Sequence, residues 1–495
     1  MSGRRYRFGP LERRTVLGPL RFGQVAILAA AAAFGLGCLY VMHSFFALLL
    51  ALGALGIAAA LIVIPVEGRT PAEWAPTVLR WGLRGSRGGG YRSSTPAAGI
   101  RIGGEEAYER SLPPELGDLE LLSVPYGSEE VGVIRDRRFG TYTAAIAVRA
   151  GAFALRDSGE QERALEAWGG VLASCARDGS PIRRLQWIER TLPGQGDGLV
   201  SYLQETRDRS VPFESNVVSS YIELLEAAAP VTQEHEVLIA LQIETRRVSR
   251  DLRRFGGGDK GAAELLLREA EKLAQRLGAA EITVFGLLRP RQYAEVIRDA
   301  FDPYGHQGRA RATLGDAERE GVDPALMGPH AEETGWSHYR TDSAFHNSYW
   351  VSSWPRSDVG PTFLAPLLMQ SAAVRTVAVT IEPVPFSVAM RKAETAQTAE
   401  VAEEMARARQ GFLTTARIRR QQQAITRRED ELADGFAEMR FAAYVTVSER
   451  SSEALEKSSS DVEHAGQLAR LEFQRMYGEQ EVGFANTLPL CRGLR

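Results

Sequence analysis

Apolar and polar residues follow two different patterns in this chain. Between Phe22 and Val66 there is no Asp, Glu, Lys or Arg, which makes an uncharged run of 45 residues. The core of a bilayer is crossed by about 20 helical residues, so this run suits two membrane-spanning helices and is too long for one. Its most polar and aromatic part, residues 40–46, predicts the turn of a helical hairpin with spans near 22–42 and 45–65.

Two other structures can place an apolar run near an N-terminus. A cleaved signal peptide has an apolar region of about 7–15 residues and a small-residue cleavage site, which this run does not match. A buried helical hairpin of a soluble protein is the second alternative, and the length of the run argues against it. The pattern therefore favours a transmembrane hairpin.

Arginines on both sides of the run predict its orientation. Lys and Arg accumulate on the cytoplasmic side of membrane proteins, so two Arg-rich flanks predict that both termini are cytoplasmic. We therefore expect a multi-pass protein of the cell membrane. The flanking arginines are Arg4, Arg5, Arg7, Arg13, Arg14 and Arg21 before the run and Arg69, Arg80, Arg84, Arg87 and Arg92 after it.

The residues that follow the run predict one further short helix. Thr70 and Glu73 form a capping-box pattern, with Pro71 at the first helical position. The helix carries Trp74 and Trp81 on one side with arginines nearby, and both residue types are common at the headgroup level of a membrane. An interfacial helix and a helix packed on the soluble part both fit this pattern.

The rest of the chain alternates between segments with a period of two residues and segments with the helical period, which predicts an α+β fold. Strands are expected at 119–124, 131–135, 142–149, 182–191, 236–248 and 282–286, and later at 346–354, 375–382 and 440–447. Helices are expected at 160–176, 197–208, 213–228, 260–277 and 451–476, and another begins at Pro290.

A long helical region is predicted at 386–434, which is rich in Ala, Arg and Glu. Ile418, Ile425 and Leu432 repeat at intervals of seven residues, and Met405 and Phe412 do so before a slip of one residue. Such a narrow apolar stripe is typical of a helical hairpin or a short coiled coil.

These elements predict a transmembrane hairpin followed by two mixed cytoplasmic lobes. A chain of this length is too long for one ordinary domain. The predicted divisions are the basic N-terminus, hairpin and interfacial helix at 1–84, a linker at 85–110, a first α+β lobe at 111–305, a connecting segment at 306–335 and a second α+β lobe with the helical hairpin at 336–495.

The distribution of charge supports a membrane edge and a water-exposed body. The net charge is −3, but residues 1–92 carry +8 and the remainder carries −11. A basic edge on both sides of an apolar run favours anionic lipid as its partner. The three cysteines, Cys38, Cys175 and Cys491, are isolated, so neither a disulfide framework nor a structural zinc site is predicted.

Motifs for catalysis or cofactor binding are missing from the sequence. A phosphate-binding P-loop needs a Lys directly after Gly, and none of the four lysines has that context. The nearest lookalike, residues 256–261, has Asp259 before Lys260 and is interpreted as a flexible turn. His338, Tyr339, Asp342 and His346 lie close in sequence, but their spacing favours a structural role over a metal site. We therefore predict a protein that is not an enzyme and has no catalytic, cofactor or metal residues.

Two parts of the chain resemble known families. Residues 1–92, which include the run Glu67–Trp74 after the spans, resemble the PrgI-type membrane proteins of conjugative elements. The C-terminal third resembles the region before the motor domain in type IV secretion ATPases of the CagE/TrbE/VirB class. This second resemblance is carried by residues 349–355, 381–383, 428–432 and 477–490. Together the two are similar to membrane proteins of actinobacterial conjugation systems.

The resemblance implies a non-enzymatic inner-membrane subunit of a conjugative DNA-transfer or type IV secretion machine, which couples a separate cytoplasmic ATPase to the membrane channel. In the resembling ATPases the tail leads into the motor, whereas this chain ends at Arg495, so the ATPase is expected on a separate polypeptide. The expected partners are membrane lipid, that ATPase and other channel subunits, with self-association as a further one. The C-terminal tail is expected either to pack on its own lobe or to dock the separate motor, and docking is favoured because exposed apolar ends commonly mark interaction sites. The residues predicted to dock the partner are therefore Gly478, Gln480, Leu488, Pro489 and Leu490.

Two alternatives from other functional classes remain open. One is a membrane-bound enzyme that uses the region between His338 and His346. The other is a membrane-tethered nucleic-acid-binding protein, suggested by the cluster Arg417, Arg419, Arg420, Arg427 and Arg428. Acidic residues adjoin that cluster and the soluble part is acidic, so direct sequence-specific binding of nucleic acid is not expected.

Overall fold

The N-terminal region of the computed structural model is a helical hairpin of α1 (Phe22–Met42) and α2 (Phe45–Val63). Both contain a stretch long and apolar enough to cross a membrane, Gln24–Met42 and Phe45–Val63. Most of their large apolar side chains are exposed, which distinguishes them from core helices of the soluble part. The structure describes residues 22–63, 68–85, 91–93, 112–149, 151, 153–193, 215–216, 218–220, 233–305, 321–369, 373–409, 431 and 435–494.

After the hairpin come helix α3 (Pro71–Gly85) and the short strand β1 (Tyr91–Ser93). The next group of elements is β2 (Leu119–Tyr126), β3 (Glu129–Asp136), β4 (Thr141–Arg149), α4 (Ser158–Cys175), β5 (Ile182–Pro193), β6 (Gln233–Glu244), α5 (Ser249–Arg254), α6 (Gly258–Ala279), β7 (Thr283–Leu287) and α7 (Pro290–Phe301). We call these elements the first half.

The second half consists of β8 (Ala331–Thr334), β9 (Tyr339–Thr341), β10 (Ala344–Ser353), α8 (Ala365–Met369), β11 (Val374–Pro383), α9 (Phe386–Arg409), β12 (Met439–Glu449), α10 (Ser452–Leu468), β13 (Glu472–Arg475) and α11 (Gln480–Thr487). The predicted α+β class is confirmed. The regions predicted as helices at 197–208 and at 410–430 lie outside the described residues, as does most of 213–228.

The thirteen described strands form one antiparallel sheet. Their order is β1-β8-β9-β10-β12-β11-β5-β6-β4-β3-β2, with β13 beside β10 and β7 beside β4. Strands β11 and β5 are neighbours, so the sheet is continuous across the two predicted lobes. The boundaries of those lobes stay a prediction.

The two halves repeat the same topology. In the first, β4-α4-β5-β6-α6-β7 gives the sheet order β7-β4-β6-β5, and in the second, β10-α8-β11-β12-α10-β13 gives β13-β10-β12-β11. Each is a βαββαβ unit of the ferredoxin-like kind. Each unit also follows a pair of strands, β2–β3 or β8–β9, and precedes a helix, α7 or α11. The soluble part is therefore an internal structural duplication.

The register of the strands places an approximate two-fold axis at the centre of the sheet. Ile188 of β5 lies opposite Leu238 of β6, and Ala378 of β11 lies in the equivalent place opposite Tyr444 of β12. Ile188 and Ala378 also pair with each other. Two equivalent residues that face each other across a junction mark its symmetry axis, as in an isologous dimer interface.

Alternating side chains of the sheet serve two different cores. Helices α4 and α6 cover one face of the first half, and α8 and α10 cover the same face of the second half. On the opposite face, α7, α11 and the C-terminal tail pack over the central strands. On β11, Val377 and Val379 point toward the face covered by α4, α6, α8 and α10, and Ala378 points toward the face covered by α7, α11 and the tail. This alternation follows from the two-residue period of a strand.

The predicted final helix at 451–476 is wrong in its second part. Helix α10 ends at Leu468, and Glu472–Arg475 form strand β13 on the edge of β10. Arg470 has a φ of 59° and the amide of Leu471 donates to Gly466 O, which together reverse the chain. Such a left-handed helix end normally carries Gly, so the Arg at this position left no signal in the sequence.

Candidate functional site

Helix α3 connects the hairpin to the soluble halves and is the centre of the candidate site. The carboxylate of Glu73 accepts a hydrogen bond of 3.0 Å from the amide of Thr70, as half of the predicted capping box. Trp74, Thr77 and Trp81 then follow at helical spacing on one face. That face points toward the second half, where it meets a group of aromatic side chains.

Four aromatic rings form the contact. The Trp74 ring lies 5.9 Å from that of Trp336 and 6.2 Å from that of Tyr477. Trp81 meets Trp336 edge-on at 5.6 Å. Arg69 lies over Trp74 at 5.2 Å and Arg475 over Tyr477 at 5.3 Å. Tilted aromatic pairs at such distances stabilise by about 0.5–1.5 kcal/mol each beyond their buried area. We call Arg69, Trp74, Trp81, Trp336, Tyr477 and Glu479 the junction.

Glu479 supplies the electrostatic part of the junction. Its two carboxylate oxygens pair with Arg69 at 3.3 Å and Arg80 at 3.2 Å. The carboxylate is 10% exposed and Arg69 is 17% exposed, so that pair is shielded from water. Arg80 is 61% exposed, and its pair contributes less because exposed ion pairs are weak. One acid thus connects Arg69, just before α3, and Arg80, within α3, to the second half.

Gly478 brings the two backbones together. It has a φ of 69°, and its amide donates to Trp336 O at 2.7 Å. A Cβ at this position would lie 2.5 Å from the Trp336 ring and 3.0 Å from Thr77. Only Gly can therefore stand here without moving the Trp336 ring.

The junction has the properties of a rigid joint. Aromatic stacking, cation–π contacts and a shared carboxylate fix the orientation of α3 relative to the second half. Because α3 also contacts α2, the joint links the hairpin directly to β8, β9 and β13 of the second half. Sequence analysis found Trp74 and Trp81 but missed Trp336, whose only signal is an indole in a polar segment.

The five residues predicted to dock a partner lie inside the protein. Gln480, Leu488 and Leu490 are 0%, 1% and 3% exposed, and Gly478 and Pro489 are also buried. The expectation of an exposed apolar end is wrong because the sheet of the first half offers a matching surface. A partner could reach these residues only after the tail left the sheet, so docking here stays a prediction without an exposed surface.

Polar side chains of the central strands bind the backbone of the tail. The amide group of Gln186 accepts from Leu490 N at 3.1 Å and Cys491 N at 2.7 Å and donates to Asn486 O at 2.9 Å. Gln242 donates to Leu490 O at 3.0 Å, and Tyr293 donates to Pro489 O. A buried chain segment needs such partners for its peptide groups. These interactions explain why buried strands carry Gln.

The segments after α7 and α11 cross in opposite directions. The tail after α11 binds strands of the first half, as just described. Phe301 O, at the end of α7 in the first half, accepts from Thr341, and Tyr304 after the helix donates to Ser448 O at 3.2 Å. Thr341 and Ser448 both lie in the second half. Each half is therefore closed by a segment of the other.

The histidine region is a set of structural contacts. His346 is 0% exposed and lies between the hydroxyls of Thr341 at 2.7 Å and Ser448 at 2.8 Å. Burial lowers the pKa of His346 to about 3, so the ring is neutral at physiological pH. Asp342 pairs with Arg298, and Tyr339 donates to Glu332. Among the described residues no group of three acids, His or Cys is arranged to hold a metal ion.

The segment that resembles a P-loop, residues 256–261, spans the start of helix α6. Gly256 and Gly257 lie just before α6, and Asp259 of its first turn binds Arg135 at 2.6 Å and accepts a hydrogen bond from Tyr142 at 2.6 Å. Desolvation and this hydrogen bond raise the pKa of Tyr142 to about 12. The arginine cluster at 417–428, proposed as a nucleic-acid site, lies outside the described residues.

Comparison with known families gives one match. Residues 231–351 are similar to the family described as "Putative type VII ESX secretion system translocon, EccE". The matched segment begins at β6, contains α6, β7, α7, β8 and β9, and ends in β10, so it spans parts of both halves. No curated protein matches the chain. The match names a secretion system of type VII and gives no support to the type IV, PrgI and conjugation assignments.

Proposed function

We propose that this protein is a non-enzymatic membrane subunit of a type VII secretion complex. The observation that carries the proposal is the similarity of residues 231–351 to the EccE family, combined with two helices suited to a membrane. In this role the hairpin anchors the subunit, and the duplicated sheet presents a large rigid surface to other subunits in the cytoplasm.

The geometry of the junction supports a scaffolding role. A subunit that positions others must keep a fixed orientation relative to the membrane. Trp74, Trp336, Tyr477 and Glu479 hold α3 against the second half through several independent contacts. His346 also fits a scaffolding role better than a catalytic one, because its ring is neutral and lies between two buried hydroxyl groups.

Co-purification separates this proposal from the type IV assignment. The full chain, tagged and extracted from its own membranes in a mild detergent, should migrate on native gels as a large assembly. Mass spectrometry should identify other type VII channel subunits and their ATPase. An unrelated membrane protein with the same tag serves as the control. Co-purification of type IV channel subunits and a type IV ATPase, or migration as a single chain, would contradict the proposal.

A genetic experiment tests the same proposal in the cell. Deletion of the gene should abolish export of type VII substrates and leave conjugative DNA transfer unchanged, and the intact gene should restore export. Loss of transfer with export unchanged would instead favour the type IV assignment. Turnover of a substrate by the purified full chain would favour the enzymatic alternative.

A further inference from the structure

We propose that helix α3 lies flat on the cytoplasmic surface of the membrane and inserts the aliphatic face of Val78, Leu79 and Leu83 into the lipid. The helix thereby holds the second half of the soluble part against the bilayer. This inference rests on the hairpin being in a membrane, and it is independent of the type of secretion system.

The two long faces of α3 have different surroundings. Trp74, Thr77 and Trp81 face the second half, and Thr77 is 3% exposed. Val78, Leu79 and Leu83 are 51%, 65% and 54% exposed. At 100° per residue, Leu79 and Leu83 lie opposite the tryptophan face, and Ala75 and Gly82 beside them are also exposed. One face of the helix therefore carries apolar side chains that are more than half exposed.

The position of α3 makes lipid the occupant of this face. Pro71 follows the end of α2 at Val63 after seven residues, and α3 contacts α2. The helix thus lies at the level where the second span leaves the membrane. Apolar side chains of an interfacial helix insert about 5–10 Å into the boundary between headgroups and acyl chains, which suits Leu79 and Leu83.

The charged residues of α3 agree with this placement. Arg80 lies between the two faces and is 61% exposed, so its guanidinium can reach headgroup phosphates while it contacts Glu479. Arginine commonly extends along an apolar surface with its charge in the polar layer. Indoles commonly lie among the headgroups of a membrane. In this orientation of α3 the indoles of Trp74 and Trp81 face the protein instead, because they pack against Trp336 and Tyr477.

Spin labelling of the full chain in nanodiscs tests the proposal. The background carries Cys38→Ser, since Cys175 and Cys491 are buried at 2% and 0% exposure. Single cysteines replace Leu79 or Leu83, and matched controls replace Leu55 of α2 and Leu155, a leucine 88% exposed on the first half. Each introduced cysteine carries a nitroxide label, and the protein is placed in nanodiscs of phosphatidylcholine and phosphatidylglycerol. The collision rate of each label is measured with oxygen, which concentrates in lipid, and with a water-soluble nickel complex.

The expected result is a lipid-like ratio of the two collision rates at 55, 79 and 83 and an aqueous ratio at 155. A lipid-like ratio at 55 with an aqueous ratio at 79 and 83 would overturn the proposal and leave the membrane hairpin intact. Protection of 79 and 83 from both reagents would overturn it in favour of contact between two copies. An aqueous ratio at 55 would show that the hairpin is not in the bilayer and would remove the premise.

Discussion

At the scale of single residues, His346 is a fully buried ring whose two nitrogens both have hydroxyl partners. The spacing of His338 and His346 across a predicted strand favoured a structural role over a ligand role. The structure supplies the cause, because Thr341 and Ser448 satisfy both ring nitrogens. The register between β10 and β12 that brings Ser448 there cannot be deduced from either strand alone.

The buried His346 ring predicts a pH dependence of stability. Its pKa is about 3 in the folded protein and about 6.5 when unfolded, so unfolding takes up a proton below pH 6.5. Stability should therefore fall as the pH drops from 6.5 toward 3, by about 2 kcal/mol at pH 5 from this group. His346→Gln should reduce the loss in melting temperature between pH 7.5 and pH 5, measured on the full chain in detergent. His464→Gln, at an exposed position of α10, should not.

Because Gly478 lies against Trp336, a side chain at this position should lower stability by more than its positive φ alone would cause. Gly478→Ala should lower stability more than Gly127→Ala, because both positions have φ near 65° but only Gly478 lacks space for a Cβ. Overpacking of this kind costs about 1–3 kcal/mol in addition to the strain. Melting temperatures of the two variants measure the difference. Equal losses would show that the Trp336 ring moves aside freely.

At the scale of elements, periodicity predicted the central strands well and the edges poorly. Strands β5, β6, β11 and β12 have ten to twelve residues each, which is long enough for a period of two to be recognised. Strands β8, β9 and β13 have only three or four residues, too few for a period to emerge. Helix α11 was missed because it is buried on nearly all sides and has no amphipathic pattern. Packing of the tail on its own lobe was the less favoured of two expectations, and its partners, Gln186 and Gln242, gave no signal for it because they are polar.

The tail predicts a specific change in cysteine reactivity. Gln186→Leu removes the partner of three buried backbone groups, each of which costs about 1–3 kcal/mol when left unsatisfied. The tail should then leave the sheet part of the time and expose Cys491, which is otherwise 0% exposed. In a Cys38→Ser background, labelling by a thiol reagent should accelerate at Cys491 and stay slow at Cys175. Unchanged labelling of Cys491 would show that Gln186 does not hold the tail.

At the scale of the whole molecule, the duplication was invisible in the sequence. The two halves share the order of strands and the register at the Ile188–Ala378 pair, yet equivalent positions carry different residues. A sheet constrains spacing and polarity more than identity, so related topologies can lose recognisable similarity. The two α+β lobes stay a prediction, and that prediction did not include a repeated unit. The pairing of β5 with β11 could not be predicted from the sequence, because pairing between strands far apart in the chain depends on the assembled sheet.

The interlocked halves predict that they unfold as one unit. Strands β5 and β11 pair along six residues, and each half is closed by a segment of the other, so loss of one half removes the cover of its partner. Leu241→Ala, which truncates a side chain with 0% exposure in the first half, should cost about 2–5 kcal/mol. Hydrogen exchange should then accelerate in β12 of the second half as much as in β6. Leu155→Ala, at a leucine 88% exposed, should change neither strand. Faster exchange confined to β6 would mean that the halves are independent folding units that share a sheet only in the native state.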